Sequence, residues 1–169
     1  MPSGNNTTAE KPFLFASRKE WTELPEGSLV LQVKRYWETL RVDGRLPSRS
    51  QIDPVEIGAI LLPWIFLLDV VRNEDRFDYL YRLVGTSNVE LVGRDPTGRL
   101  ASEIFATEER RFLMETFELT VTSAAPTYWY AEAPQETYGR VRIYRGLFPL
   151  SDDGVEVDKL LCIAVPDEA

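Results

Sequence analysis

Residues 64–86, WIFLLDVVRNEDRFDYLYRLVGT, decide the fold class. WIFLLDVV is β-rich and almost continuously apolar, RNEDR is a polar turn, and FDYLYRLVGT is a second extended run, so the stretch reads as an antiparallel hairpin. Downstream, Gly85, Gly93 and Gly98 punctuate GTSNVELVGRDPTGR, a spacing that suits short helical turns separated by tight corners. A helix opens at Thr107 and carries Phe112, Leu113, Phe117 and Val121 along one face until Pro126 interrupts it. Three more strands follow, PTYWYAEAP, YGRVRIYRGLFPL and VEVDKLLCIAV, the last two joined by the turn SDDG. LLCIAV is apolar on both parities, which places it in the middle of the sheet with both faces covered.

Upstream of the hairpin, Leu29, Val33, Tyr36, Trp37 and Leu40 recur at intervals of three and four residues, the mark of an amphipathic helix over 28–42. Ser28 is its natural N-cap and Asp43-Gly44 its stop. The apolar stripe of this helix is the obvious cover for the outer face of the sheet, from its own chain or from a second copy, so these five residues form a candidate dimer interface. LPSRSQIDP reads as an ordered loop, after which Asp53 caps a short helix with Pro54 at its first position, ended by Pro63. Residues 1–12 are too polar to offset the cost of ordering a backbone. They read as a flexible tail that runs to residue 16, leaving 17–169 as a single domain. The element order is antiparallel α+β and excludes the doubly wound nucleotide folds.

The 169 residues hold 27 acidic and 19 basic side chains, a net charge of −8, with no histidine and one cysteine. A missing histidine removes the commonest general base near neutral pH, the commonest metal ligand and the usual haem ligand, and excludes Ser-His-Asp and Cys-His catalysis. One cysteine excludes an internal disulfide framework. The acidic balance, with basic residues scattered among acidic ones, disfavours nucleic acid. No apolar run reaches the roughly 20 residues of a membrane span, and the expected setting is the cytosol.

The runs LPSRSQIDP, ILLPWIFLLDVV and YLYRLVGTSNVELVGRDPTGR together resemble a PAS-like family of mostly single-domain alphaproteobacterial proteins, over roughly residues 28–165. The matching positions are Pro47, Arg49, Asp53 and Pro54, then Leu62 and Pro63, Tyr81, Arg82, Gly85 and Thr86, and finally Gly93, Asp95, Thr97 and Gly98. The resemblance implies a five-stranded antiparallel sheet in PAS strand order, helices over its inner face and dimerisation through the preceding helix. It also implies a stand-alone sensory or regulatory module, working on a signalling protein in trans, rather than an enzyme. PAS domains variously hold haem, flavin, small metabolites or nothing. GRDPTGRLASEIF lacks the cysteine of the flavin photoreceptors and the chain lacks a haem histidine, so no cofactor and no metal are expected, and a small metabolite is the open option.

Within that frame Arg82 sits on an otherwise apolar strand face and must find either an anionic ligand or a carboxylate such as Asp53, Asp69 or Asp95. Tyr81, Thr86 and Arg94 join it as candidate ligand contacts at the pocket and its mouth. Tyr128 and Tyr130 point opposite to Trp129 and are candidates for a ligand cavity or a partner groove. GRDPTGR resembles phosphate-cradling loops but lacks their Gly-Lys-Ser/Thr ending. Its expected role is structural, with Asp95 accepting N–H groups in an Asp-Pro-Thr-Gly turn. Cys162 reads as a small buried hydrophobe. Two other readings remain: a small cone-shaped α+β isomerase or hydratase using Asp69 with Tyr81 or Tyr144, and an adaptor whose interior is filled by its own aromatics.

Overall fold

In a computed structural model, which describes residues 15–104, 107–135 and 139–167, the hairpin is present as β2 (Ile65–Asn73) and β3 (Arg76–Val84), paired antiparallel. Glu74 takes a positive φ in the turn between them. The later strands are β4 (Thr127–Gln135), β5 (Gly139–Leu150) and β6 (Lys159–Pro166). An additional strand, β1 (Phe15–Lys19), pairs with β4 at the sheet edge. The sheet order is β1-β4-β5-β6-β2-β3, so β6 is central as its two-sided hydrophobicity requires. Five expected strands thus become six, and the boundary between residues 16 and 17 falls inside β1.

The helices are α1 (Leu29–Leu40), α2 (Pro54–Ile57), α3 (Thr86–Val92), α4 (Ala101–Ile104) and α5 (Thr107–Ser123). Ser28 caps α1 by accepting from Val30 N, and Asp53 caps α2 by accepting from Val55 N. α2 is shorter than expected because Gly58, at φ 85°, ends it before Pro63, which instead lies in a 3-10 turn over Leu62–Trp64. The SDDG turn is also longer than expected, because β6 begins only at Lys159. There the Asp153 carboxylate accepts from Val155 N, Glu156 N and the Ser151 hydroxyl and holds a closed loop.

Strand alternation divides the core into two layers. The outer layer joins Val30, Val33 and Trp37 of α1 to Ile65, Leu67, Tyr128, Phe148, Leu161 and Ile163. The inner layer joins Leu113, Phe117 and Val121 of α5 to Phe66, Leu68, Tyr79, Tyr81, Leu147, Leu160 and Cys162. Gly146 of β5 faces outward, and a Cβ there would stand 2.7 Å from Val30 Cγ1, so its lack of a side chain lets α1 settle against the sheet.

The expected dimer stripe is therefore used within the chain. Val33 and Trp37 are 1% and 2% exposed, and Leu29, Tyr36 and Leu40 pack against the same outer layer. Trp37 Nε1 donates to Pro149 O at 2.9 Å, while the Tyr36 hydroxyl accepts from Asp53 N at 2.9 Å and ties the LPSRSQIDP loop to α1. The physical reason is that the sheet's outer face is apolar and the nearest amphipathic helix reaches it first. Trp37→Ala is expected to destabilise the protein by about 3–5 kcal/mol in urea unfolding, whereas Val55→Ala, at a position 86% exposed, should lie within about 0.5 kcal/mol of the parent.

Candidate functional site

β5 carries three arginines, and alternation separates them. Arg145 shares its parity with Ile143 and Leu147, both buried, so it points into the inner layer. It is paired across the sheet with Trp129 of β4 and Ala164 of β6, and α5 lies over it. Arg145 is 3% exposed. Its Nη1 donates to Thr116 Oγ1 at 3.4 Å, and its guanidinium rests 5.8 Å from the Phe112 ring centre and 5.4 Å from that of Phe117. Among the described residues no carboxylate stands within ion-pair distance of it.

The surroundings explain why the guanidinium is under-bonded. Thr116 gives its hydroxyl proton to Leu113 O at 2.8 Å, and Thr120 gives its own to Thr116 O at 2.9 Å. In the 2.7 Å pair between Thr120 and Thr127 the Thr127 hydroxyl must then donate, and Trp129 Nε1 donates to Thr127 Oγ1 at 2.9 Å. This chain of donors is closed on itself and offers Arg145 one long contact. Burial lowers the Arg145 pKa, while burial raises those of Tyr81 and Cys162, both of which feel the guanidinium's field. Tyr79, fully buried against Phe117 with ring centres 4.9 Å apart, has a hydroxyl with no hydrogen-bond partner among the described residues.

A guanidinium desolvated to this degree carries a penalty of several kcal/mol, which two aromatic faces at up to about 2 kcal/mol each offset only in part. Its planar fork matches a carboxylate or phosphate bidentately.

The residues expected to bind ligand are dispersed. Tyr81 is buried in the inner layer, stacked on Phe66 with ring centres 6.0 Å apart. Arg82 points outward, 63% exposed, and its Nε pairs with Asp69, so a carboxylate of its own chain answers it and no pocket does. Thr86 is exposed at the start of α3, and Arg94 is exposed beyond its end. Tyr128 lies in the outer layer, and Tyr130 stacks on Tyr144 and donates to Asp167 at 2.9 Å. Asp69 with Tyr81 or Tyr144 forms no catalytic cluster, because Tyr81 and Tyr144 lie on opposite faces of the sheet and Asp69 is held by Arg82. Among the described residues no three His, Cys, Asp or Glu side chains could hold a metal.

The residues of the GRDPTGR segment and the loop before α2 make local backbone contacts. Asp95 accepts from Thr97 N at 3.0 Å and Thr97 Oγ1 at 2.6 Å, bonds that keep its pKa below the ordinary value. Gly93 and Gly98 take positive φ, while Gly85 is needed for close approach, since a Cβ there would meet Pro63 O. Pro47 is buried and its carbonyl accepts from Ser151 N at 2.8 Å. Arg49 Nη1 donates to Ile52 O at 3.4 Å.

Burial raises the pKa of Tyr79, Tyr81 and Tyr128, and Glu118 for Tyr79 and Glu38 for Tyr128 add to the effect. Their folded pKa values lie above the unfolded value near 10, so the unfolded state releases protons first. The stability they contribute is fully present below about pH 10 and is lost as pH rises beyond it. Urea midpoints should hold between about pH 8 and 9 and fall steadily above about pH 10, with the tyrosinate absorbance of these three residues appearing only on unfolding. A midpoint that rises from about pH 10 to 11 would contradict their burial.

No curated protein matches the chain. Among the described residues no helix is long and apolar enough to cross a membrane. A family model for the PAS domain matches residues 27–164, from the residue before the α1 cap into β6. That match takes in both core layers and the five strands β2 to β6, and it agrees with the antiparallel order and the helical cover over the inner face. The chain belongs to the PAS domain family.

Proposed function

We propose that this PAS domain is a sensory module whose inner layer takes a small anionic molecule, bearing a carboxylate or phosphate, against Arg145. The observation that carries the reading is a guanidinium 3% exposed with no carboxylate near it among the described residues. The hydroxyl of Tyr79, which has no hydrogen-bond partner among the described residues, is a further donor in the same layer. In this reading the module works by binding.

Occupancy is passed to α1 through β5. Arg145 faces the ligand side, and Gly146, the next residue, lies under Val30 of α1 without a side chain to cushion the contact. A displacement of β5 that draws Arg145 onto an anion changes the seat of α1, so ligand favours one packing of that helix over another. The exposed side of α1, with Arg35, Glu38 and Thr39, is what a second copy or a signalling protein then reads. In this reading homodimerisation is an output of the α1 surface that faces away from the sheet.

Native mass spectra of protein purified gently from its host should show a mass excess that is lost on denaturation. Arg145→Met should abolish that excess while leaving unfolding stability equal to the parent or up to about 4 kcal/mol higher, since an apolar side chain of similar length relieves the buried charge. Empty subunits, or an excess that persists in Arg145→Met, would contradict the reading, and empty subunits would favour an adaptor filled by its own aromatics.

A further inference from the structure

Two buried polar groups of the inner layer lack a full answer from the protein, and they differ in kind. Arg145 is the cation. The other is Tyr79 on β3, two residues before Tyr81 and so on the same inner face. Its side chain is fully buried, and its hydroxyl has no hydrogen-bond partner among the described residues. Buried donors in native proteins are nearly always paired, so this one calls for an acceptor. Phe117 of α5 touches both groups: its ring centre lies 4.9 Å from that of Tyr79 and 5.4 Å from the Arg145 guanidinium. Those two distances laid end to end, about 10 Å, bound the gap between the guanidinium carbon and the Tyr79 ring centre.

The two ends of that gap have opposite electrostatic character. Burial and the carboxylates of Glu118 and Asp78 all disfavour a tyrosinate at Tyr79, so its hydroxyl stays a donor. Asp78 is held in place by Ser102, whose amide donates to it at 3.2 Å and whose hydroxyl donates to it as well. The nearby cation, Arg72, is committed to Glu156 at 3.1 Å and to the Val157 carbonyl at 2.7 Å. A neutral acceptor therefore suits the Tyr79 end, whereas a second anion would meet two carboxylates. At the other end the groups that act on Arg145 are Tyr81 and Cys162, and no carboxylate stands within ion-pair distance among the described residues.

We propose that the inner layer selects a short monocarboxylic acid with a neutral oxygen at its far end, an oxo or hydroxy acid, and discriminates against dicarboxylic acids. The carboxylate meets Arg145, the apolar chain runs along Phe117, and the Tyr79 hydroxyl donates to the neutral oxygen. With hydrogen bonds of about 2.9 Å at each end, the gap suits a chain of about four to six carbons. This assignment rests on the Arg145 reading and adds the class of acid that it takes.

The test is calorimetric titration of the full chain, dialysed free of small molecules, with three five-carbon acids: 4-oxopentanoate, pentanoate and glutarate. 4-Oxopentanoate is expected to bind at least about tenfold more tightly than either of the others. Tyr79→Phe should bring its affinity down to that of pentanoate and leave pentanoate unchanged, and Arg145→Met should abolish binding of both. Because Tyr79→Phe removes only an unpartnered hydroxyl, its urea midpoint should match the parent's. Equal affinity for 4-oxopentanoate and pentanoate, both lost in Arg145→Met, would overturn the assignment while sparing the Arg145 reading. Tighter binding of glutarate, or full retention of 4-oxopentanoate affinity in Tyr79→Phe, would overturn it in the same way. No binding of any of the three up to about 10 mM would also overturn it, and the mass excess lost in Arg145→Met would then still decide the Arg145 reading on its own.

Discussion

α1 rests directly on the backbone of β5 at Gly146, and both core layers depend on that contact. A sheet whose central strand is apolar on both parities must be covered twice, and the second cover is available only if the helix can come close. A side chain at Gly146 would force Val30 or Phe148 to give way. With the helix seated, Trp37 reaches the Pro149 carbonyl and Tyr36 reaches the loop before α2, so the segment upstream of the hairpin is fixed by the same contact.

The consequence for the inner layer is indirect but definite. With its outer face closed, β5 must present Arg145 to the space under α5, where the threonine hydroxyls are already committed to helix carbonyls and to one another. A buried charge answered by aromatic faces and one long hydrogen bond is an unusual investment of stability. Arg82 shows the contrast on the neighbouring hairpin, where Asp69 answers the guanidinium and water reaches it.

Much of this was legible in the chain itself. Long periodic elements were readable because side chains alternate or recur with the geometry that buries them: the hairpin at 64–86, the helix behind Ser28, the central strand around Cys162. β1 was not, since FASRK is a short edge strand that follows a polar run and carries no alternation long enough to distinguish it from a tail. α2 ended early because Gly58 outweighed the more conspicuous Pro63. The candidate site was missed for a different reason. Three arginines in YGRVRIYRGLFPL look like a solvated strand surface, and only the parity that Arg145 shares with Ile143 and Leu147 separates it from Arg140 and Arg142. Tyr128, a candidate for a cavity or a groove from its sequence, lies in the outer layer, because its parity follows Gly146 and Ile163.

We propose that Arg145, which has no carboxylate within ion-pair distance among the described residues, is kept so for an external anion to supply one. A high-resolution crystal structure of protein purified from its host without exchange of its bound contents tests this most directly. A non-protein anion is expected within hydrogen-bond distance of the Arg145 guanidinium, between it and the Tyr81 side of the inner layer. A guanidinium sealed against Phe112 and Phe117 with no space beside it, or one paired with a carboxylate of its own chain, would contradict anion binding at Arg145.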